Sequence, residues 1–468
     1  LNMLDLAGLP VRSEQRAQDD PLVIAGGGMA NCCEPVADFI DLFVLGEAEE
    51  AVVELANLLI AGKRDGKAKD EILFEIARRF DWAYVPRFYE FAYDHSRITA
   101  FKARNEMLPI RFHNAVVGDF ENAPVSTRPI VPFAEAVHER VSIEIMRGCP
   151  GRCRFCQASF CRRPIRYRSA EKVFELAKAS QETTGFDTVS LLSLSSADYP
   201  PLEELVARLK GYFEDKQVGL SVPSLRVDQQ LHMLPKYFTS VRKSGLTIAV
   251  EAASENLRQI VNKPLKDEDL FAAVEAAYQS GWQKLKLYFM IGLPGETLDD
   301  IKAIVDLSDR LARLRKSVDN RIAQLSITVS WFVPKPHTPL GWFGQRPREY
   351  FQQARGLVLD EKQRRRANHL RFKFHDIQRS LLESAIGRGD RRCGQVIEAA
   401  WRDGARFDLW DECFDYERWR TAFAAMDLEL EAVAERTFEP DQILPWGHLG
   451  GPDRQYLLRH YHDAMRSL

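Results

Sequence analysis

The chain has 468 residues, is 45% hydrophobic and 28% charged, and sets 64 Lys+Arg against 67 Asp+Glu for a formal net charge of -3. These values exclude a disordered or collagen-like chain and a chain-wide polybasic nucleic-acid binder, and at roughly 150 residues per domain they lead us to expect about three domains. No uninterrupted apolar run approaches the ~18 residues of a membrane helix, and eight cysteines are too sparse for a disulfide scaffold, so their uneven placement points to a metal or redox site in a reducing compartment, the cytoplasm.

The chain opens at Leu1 in mid-pattern, LNMLDLAGLPV, which reads as the trimmed end of a longer parent. Pro21 to Gly28 (PLVIAGGG) is a short apolar run ending in glycines, and Phe39 to Gly46 (FIDLFVLG) is a second. Glu47 to Leu59 then has helical spacing, with acids in its first turn where the helix dipole favours them. Strand, glycine turn, strand, helix is the grammar of an open α/β sheet. Only about two of the usual ~five strands are visible, so residues 1–62 read as the second half of a Rossmann-like domain. Residues 63–140 read as a connecting region, with a helix over Asp70 to Phe80 and then aromatic and proline-rich pieces with a few strands. From Val141 six apolar runs recur: VSIEIM at 141, TVSLLSL at 188, VGLSVPSL at 218, LTIAVEA at 246, KLKLYFMIG at 284 and QLSITVSWFV at 324. Amphipathic stretches separate them, which predicts a parallel sheet curled into an open (β/α)6 barrel over 141–345, with reactive residues at the strand C-terminal ends. From about 346 the strand signal ends, and 346–468 is predicted to be a mainly helical domain.

Straight after the first barrel strand comes Arg147-Gly148-Cys149-Pro150-Gly151-Arg152-Cys153-Arg154-Phe155-Cys156-Gln157, a C-x3-C-x2-C triplet. Thiolates are soft ligands that hold iron–sulfur clusters or zinc. Three close cysteines fill three corners of a [4Fe–4S] cube and leave one iron free. The alternative is a zinc knuckle completed by Cys161, although zinc sites usually show two CxxC-like pairs. Arg147, Arg152, Arg154, Arg162, Arg163, Arg166 and Arg168 follow one another with no acid among them. Guanidinium groups there would offset an anionic cluster and a bound carboxylate, or else form a solvated basic loop. The segment, including the aromatic Phe155 before the third cysteine, resembles the radical S-adenosylmethionine superfamily. That resemblance implies that the free iron chelates the amino and carboxylate groups of S-adenosylmethionine. An electron from the reduced cluster then breaks a C–S bond and releases a 5′-deoxyadenosyl radical.

The resemblance continues along the barrel. Ser193 to Tyr199 occupies the place of a Gly-Gly-Glu-like stretch that contacts the methionine amino group; it departs from that motif and leaves Ser195 and Ser196 as candidates. Val250-Glu251-Ala252-Ala253-Ser254 resembles the strand-four acid and serine near the ribose and methionyl groups, with a rim salt bridge as the alternative for Glu251. Tyr288 to Thr297 (YFMIGLPGET) resembles the adenine-binding turn, where Met290 and Gly292 are implied and a glycine lets backbone approach a flat ring. Phe332 to Pro339 is a proline-fixed rim from which Lys335 or His337 would reach the barrel mouth, unless it is a rigid loop without chemistry.

At the N-terminal end, Ile24 to Gly28, Glu34-Pro35 and Asp41 to Glu50 resemble the second half of cobalamin-binding domains joined to radical enzymes, which implies Gly26 and Gly27 beside the nucleotide tail. The adjacent pair Cys32-Cys33 lacks the three-cysteine spacing of methylthiotransferases and reads as buried apolar residues. Lys362, Arg364, Arg365, Arg366, Arg371 and Lys373 lie together without an acid, which is a docking strip for a polyanion such as RNA or a solvated helix face. Phe374-His375-Asp376, Arg388 to Arg392 and Leu444 to His448 resemble the appended domain of a cobalamin-domain subfamily whose reaction is unassigned.

The expected protein is thus a radical S-adenosylmethionine enzyme with Cys149, Cys153 and Cys156 on the cluster. The cosubstrate is expected at Phe155, Ser195, Ser196, Glu251, Ser254, Met290 and Gly292. The expected chemistry is hydrogen abstraction from an unactivated carbon, with methyl transfer from methylcobalamin as its extension in a cobalamin-binding parent. Cobalamin-independent sulfur insertion or redox rearrangement is a second reading, and a zinc-bearing RNA-binding or scaffold protein is a third. Expected partners are a reductive electron donor and an RNA or protein substrate, with no membrane.

Overall fold

In the computed structural model, which describes residues 1–134, 139–222, 246–263 and 265–468, the chain divides into two units that do not follow chain order. The first comprises residues 1–118, 333–348 and 376–463; the second comprises 119–332, 349–375 and 464–468.

The first unit is built around a small sheet. Strands β1 (Ile24–Ala25), β2 (Leu42–Val44) and β3 (Ala83–Tyr84) lie in the order β1-β2-β3, with β1 parallel to β2 and β3 antiparallel to it. Helices Ala51–Arg64 and Lys69–Arg79 bury Leu55, Leu58, Ile72 and Ile76 in the same core as Leu42 to Leu45. A hairpin of β4 (Tyr89–Asp94) and β5 (Arg97–Ala103) follows. The Gly46-Glu47-x-x-Glu50 turn has a structural task. Gly46 has φ +94°, and a Cβ there would run into the Ala115 carbonyl. Glu47 accepts from the Val117 N–H at 2.8 Å and Glu50 from the Gly118 N–H at 3.2 Å, so the acids bind segment 115–118.

The C-terminal helices of this unit are tied to its N-terminal segment by a buried network. The carboxylate of Glu34 accepts from the Tyr84 hydroxyl at 2.5 Å, Arg391 Nε at 2.9 Å and His448 Nε2 at 3.0 Å. Burial alone would raise the Glu34 pKa, but Arg391 and His448 hold it down to about 2. Burial lowers the pKa of His448, which stays neutral and donates. Glu34, Arg391 and His448 each come from a stretch that the sequence singled out, and here they serve packing.

The second unit holds β6 (Val141–Glu144), β7 (Met146–Arg147), β8 (Arg166–Tyr167), β9 (Thr188–Leu192), β10 (Gly219–Ser221), β11 (Leu246–Glu251), β12 (Lys284–Ile291), β13 (Gln324–Trp331) and β14 (Leu370–Phe374). Two all-parallel sheets result, ordered β10-β9-β6 and β11-β12-β13-β14. They contain the six predicted β/α strands, three in each sheet and parallel within it, with β14 added to the second. The stretch that would join β10 to β11, with the end of the predicted run at 218–225, lies outside the described residues. Helix Ala170–Thr184 starts at the Ser169 cap and stops at Gly185, φ +71°; helix Leu298–Arg313 opens with a Thr297–Asp300 capping box and packs on β12 and β13.

One expectation is corrected here: strands do not end at 346. β14 pairs in parallel with β13 from Leu325↔Leu370 to Val329↔Phe374. Leu370, Phe372 and Phe374 alternate with Arg371 and Lys373, a period-2 pattern that the basic residues concealed. The basic strip is also less free than its composition implies, since Arg364 and Arg365 both bond Glu361 at 2.5 Å.

Candidate iron–sulfur site

The triplet sits in a loop closed at its neck by the antiparallel pairs Met146↔Tyr167 and Arg147↔Arg166. Gly148 makes the neck narrow: φ is +91°, and a Cβ would stand 2.6 Å from the Arg162 carbonyl oxygen. Inside the loop, a Cβ on Gly151 would meet Cys149 Sγ at 3.3 Å and Cys153 Sγ at 3.9 Å, so two thiols flank the same glycine. The Cys156 N–H closes a turn on the Cys153 carbonyl at 2.9 Å. Phe155 is half-buried, and Cys161 ends the short helix Gln157–Cys161. Among the described residues no three His, Cys, Asp or Glu side chains converge where a single metal ion would sit. A cube-shaped cluster, whose irons stand apart, asks its ligands to spread rather than converge.

Several of the arginines hold the loop's backbone. Arg163 reaches the Ser159 carbonyl at 2.8 Å and the Gly151 carbonyl at 3.0 Å. Arg154 is buried and donates to the Ile260 carbonyl at 2.6 Å, while its own N–H bonds the Val261 carbonyl at 2.9 Å. Asn262 donates to the Arg152 carbonyl at 2.8 Å. These bonds dock the loop on the end of helix Glu255–Ile260, which follows β11. Arg147 pairs with Glu144 at 2.8 and 3.0 Å, and Arg168 donates to the Glu121 carbonyl at 2.8 Å.

The cation beside the thiols is one the sequence reading missed. Lys263 Nζ bonds Glu251 Oε1 at 2.8 Å and the Ala249 carbonyl at 2.6 Å. Burial pushes the Cys153 thiol up to about 11; Lys263 opposes the shift, and the neighbouring Cys156, Cys149 and Glu251 add to it. The three cysteines, Lys263 and Glu251 therefore share one electrostatic neighbourhood. Glu251 has φ +71° at a register shift between Ala249 and Glu251, a strained conformation of the kind that gathers at functional sites. Both sequence readings of Glu251 meet here, as it stands at the strand-four end and forms a salt bridge. The only cue to Lys263 was an Asn-Lys-Pro stop after a short helix.

The remaining candidates divide. Gly292 ends β12 with φ +100°, and its N–H bonds Glu296 Oε1 at 2.7 Å, which also accepts from the Tyr350 hydroxyl at 2.6 Å. Met290 is half-buried two residues earlier. Ser254 caps helix Glu255–Ile260 by accepting from the Leu257 N–H at 3.3 Å. Ser195 and Ser196 are buried, with Ser195 donating to Asp198 at 2.6 Å and Ser196 bonded to Ser193 at 2.9 Å. Gly26 faces the Val44 carbonyl at 3.3 Å, whereas Gly27, φ +92°, borders open space. Lys335 and His337 belong to the first unit: Lys335 pairs with Glu383, and buried His337 bonds the Asn31 carbonyl at 2.7 Å. Each is thus committed to a partner in its own unit. Cys32 and Cys33 are buried, as predicted.

A thiol triplet thus stands on a loop after the first strand of a parallel β/α run, beside a lysine–glutamate pair. Residues 143–308 match the family described as Radical SAM superfamily, and residues 1–86 match the one described as Radical SAM proteins, N-terminal. Residues 143–308 thus carry a domain of the radical S-adenosylmethionine superfamily of enzymes, and that family implies a [4Fe–4S] cluster and S-adenosylmethionine. The chain is 26% identical over 390 residues to the uncharacterized protein MJ0966 of Methanocaldococcus jannaschii, across 83% of this chain and 76% of that protein. Over 184 residues it is 27% identical to the ribosomal protein uS12 methylthiotransferase RimO of Clostridioides difficile, across 36% of this chain and 40% of that one. The radical S-adenosylmethionine methyltransferase TsrM of Kitasatospora setae, with cobalamin and a [4Fe-4S] cluster bound, matches at 16% identity and TM-score 0.43 over 68% of this chain and 58% of that chain. The cobalamin-dependent radical enzyme OxsB with aqua-cobalamin bound matches at 12% identity and TM-score 0.44 over 86% and 59%. The chain spans less than two thirds of the length of RimO and of both solved structures. Among the described residues no helix is long and apolar enough to cross a membrane.

Proposed function

We propose that Cys149, Cys153 and Cys156 hold a [4Fe–4S] cluster that supplies the electron for breaking a C–S bond of S-adenosylmethionine, and that the resulting 5′-deoxyadenosyl radical takes hydrogen from an unactivated substrate carbon. The observation that carries this reading is the loop itself, with two thiols flanking Gly151 next to Lys263 and Glu251. The chain's own residues have distinct tasks. Gly151 leaves the sulfurs room, and Arg154, Arg163 and Asn262 fix the loop so that little order must be imposed on binding. Lys263 offsets the charge of deprotonated thiols and holds Glu251, whose carboxylate is placed to accept from ribose hydroxyls. The Gly292 N–H is already committed to Glu296, so it is the missing side chain of Gly292 that serves the adenine ring. Ser195 donates to Asp198 and Ser196 shares a hydrogen bond with Ser193, which leaves hydroxyl lone pairs to accept from the cosubstrate's amino group. The electron comes from a reductant outside this chain.

No step is assigned to cobalamin. Gly26 is packed on β2 and Gly27 borders open space, which leaves room for a nucleotide tail but supplies no polar side chain to hold it. Titration with hydroxocobalamin is expected to give no saturable micromolar binding; tight binding would restore methyl transfer from methylcobalamin. The main reading is tested on anaerobically reconstituted protein. About four irons and four sulfides per chain, with methionine and 5′-deoxyadenosine as products, are expected, and one zinc per chain with no cleavage would overturn it.

A further inference from the structure

The sheet β11–β14 has a face that the cluster loop does not use. Side chains alternate along a strand, and register partners point the same way. One face is apolar, carrying Leu285, Leu287, Ile327 and Val329, all buried. On the other stand Lys284 and Lys286 of β12 and Arg371 and Lys373 of β14, all exposed, with Ser326 and Thr328 of β13 between them. Lys286, Ser326 and Arg371 form one rung of the ladder, and Thr328 and Lys373 belong to the next. The acid of this sheet, Glu251 at the far end of β11, is already paired with Lys263.

The spacing makes this a patch rather than a scatter. Strands lie about 4.8 Å apart and rise about 3.3 Å per residue, so Lys286 and Arg371 are separated by about 10 Å and Lys284 and Lys286 by about 7 Å along the backbone. Side chains of this length can converge on one small anion. Among the described residues none of the four forms a hydrogen bond or ion pair; Lys286 only leans over the Tyr288 ring, at 4.8 Å. Four like charges without an ion-pair partner among the described residues repel one another, and a bound anion would relieve them. Upstream the cations are interrupted, because Arg364 and Arg365 are spent on Glu361, which leaves Lys362 and Arg366 at that helix end. A nucleic-acid backbone asks for such a track with stacking platforms, whereas a single phosphate or diphosphate asks for a cluster flanked by hydroxyl donors.

We propose that this face binds the phosphoryl group of a small phosphorylated substrate. Met290 lies four residues beyond Lys286 on the same strand, about 13 Å at the usual rise, so the reacting carbon would lie within about that distance of the phosphoryl group. The role as substrate site rests on the radical reading above; the anion site itself does not.

The probe is pyrophosphate, titrated calorimetrically at low salt into the full chain. One saturable site is expected, weakened at least tenfold in the double variants K286Q/R371Q and K284Q/K373Q, and unchanged in K302Q, an exposed helix lysine paired with Asp299. Circular dichroism confirms that each variant is folded. Absence of saturable binding, or equal binding in the double variants, overturns the proposal, as does a single-stranded 20-mer RNA that displaces pyrophosphate with higher affinity. Formation of 5′-deoxyadenosine by the wild type is measured on the same preparation. Pyrophosphate binding without cleavage sinks the radical reading and keeps the anion site; cleavage without binding sinks the anion site alone.

Discussion

Replacing Gly292 by Ala is the sharpest probe of the cosubstrate site. The residue has φ +100°, a region in which a Cβ costs about 1–3 kcal/mol. The turn cannot easily relax, because the Gly292 N–H is bonded to Glu296 at 2.7 Å and Glu296 is held in turn by Tyr350 at 2.6 Å. The strain therefore stays local and subtracts from a stability of about 5–15 kcal/mol, so the variant remains folded. If the residue were only a turn, the folded protein would bind S-adenosylmethionine as before. If adenine lies against this backbone, the methyl group takes up its space, and binding should weaken by more than ~1.4 kcal/mol, a factor of ten. Equilibrium dialysis against S-adenosylmethionine and iron determination are made on one sample. Loss of binding with iron retained is expected. Joint loss of iron, solubility and binding would refute the argument, and so would binding within threefold of the parent.

Three more predictions follow from the same geometry. Cys149→Ala, Cys153→Ala or Cys156→Ala should abolish the brown chromophore and cosubstrate cleavage, while Cys161→Ala keeps both; survival of the chromophore in the Cys153 variant but not in the Cys161 variant would reassign the ligands. Lys263→Met leaves the Glu251 carboxylate, largely buried, without its partner, and should cost about 2 kcal/mol in denaturant unfolding as well as reducing iron uptake; no change in either measurement would remove Lys263 from the site. Burial lowers the His337 pKa to about 4, against 6.5 when unfolded, so its contribution is complete above pH 6.5 and lost as pH falls toward 4, about 3 kcal/mol in all. In His337→Asn that part of the acid sensitivity of the first unit should vanish, and hydrogen exchange followed from pH 7 to pH 4 reads it.

The parts legible in the sequence were those that short-range pattern dictates. The cysteine spacing needs nothing beyond one loop, and the alternation in VSIEIM or KLKLYFMIG is a property of a single strand. Lys263 was missed because its place beside Cys153 depends on a bulge at Glu251 and on a loop more than a hundred residues upstream. The arginines from Arg147 to Arg168 were read either as charge offsetting the cluster or as a solvated loop, because composition shows charge and not direction; carbonyl oxygens and Glu144 hold several of them. β14 was hidden for the opposite reason, its exposed positions being so basic that the alternating Leu370, Phe372 and Phe374 went unread. Gly292 and Gly148 show where glycine carried true information, since both have positive φ at a close approach or a closed turn.

The Glu34 network has a consequence for biosynthesis. Glu34 leaves the ribosome 357 residues before Arg391 and 414 before His448, the groups that neutralise and satisfy it. At about 5–20 residues per second, the N-terminal segment waits tens of seconds before its buried carboxylate can be paired. Until then its core would enclose an uncompensated charge, so the first unit closes only when the last hundred residues arrive. A nonsense mutation or proteolytic cut near residue 345 would strand the N-terminal strands in this unpaired state although they lie far from the lesion. Expression by halves should therefore fail for the N-terminal piece alone and succeed when the C-terminal piece is supplied beside it.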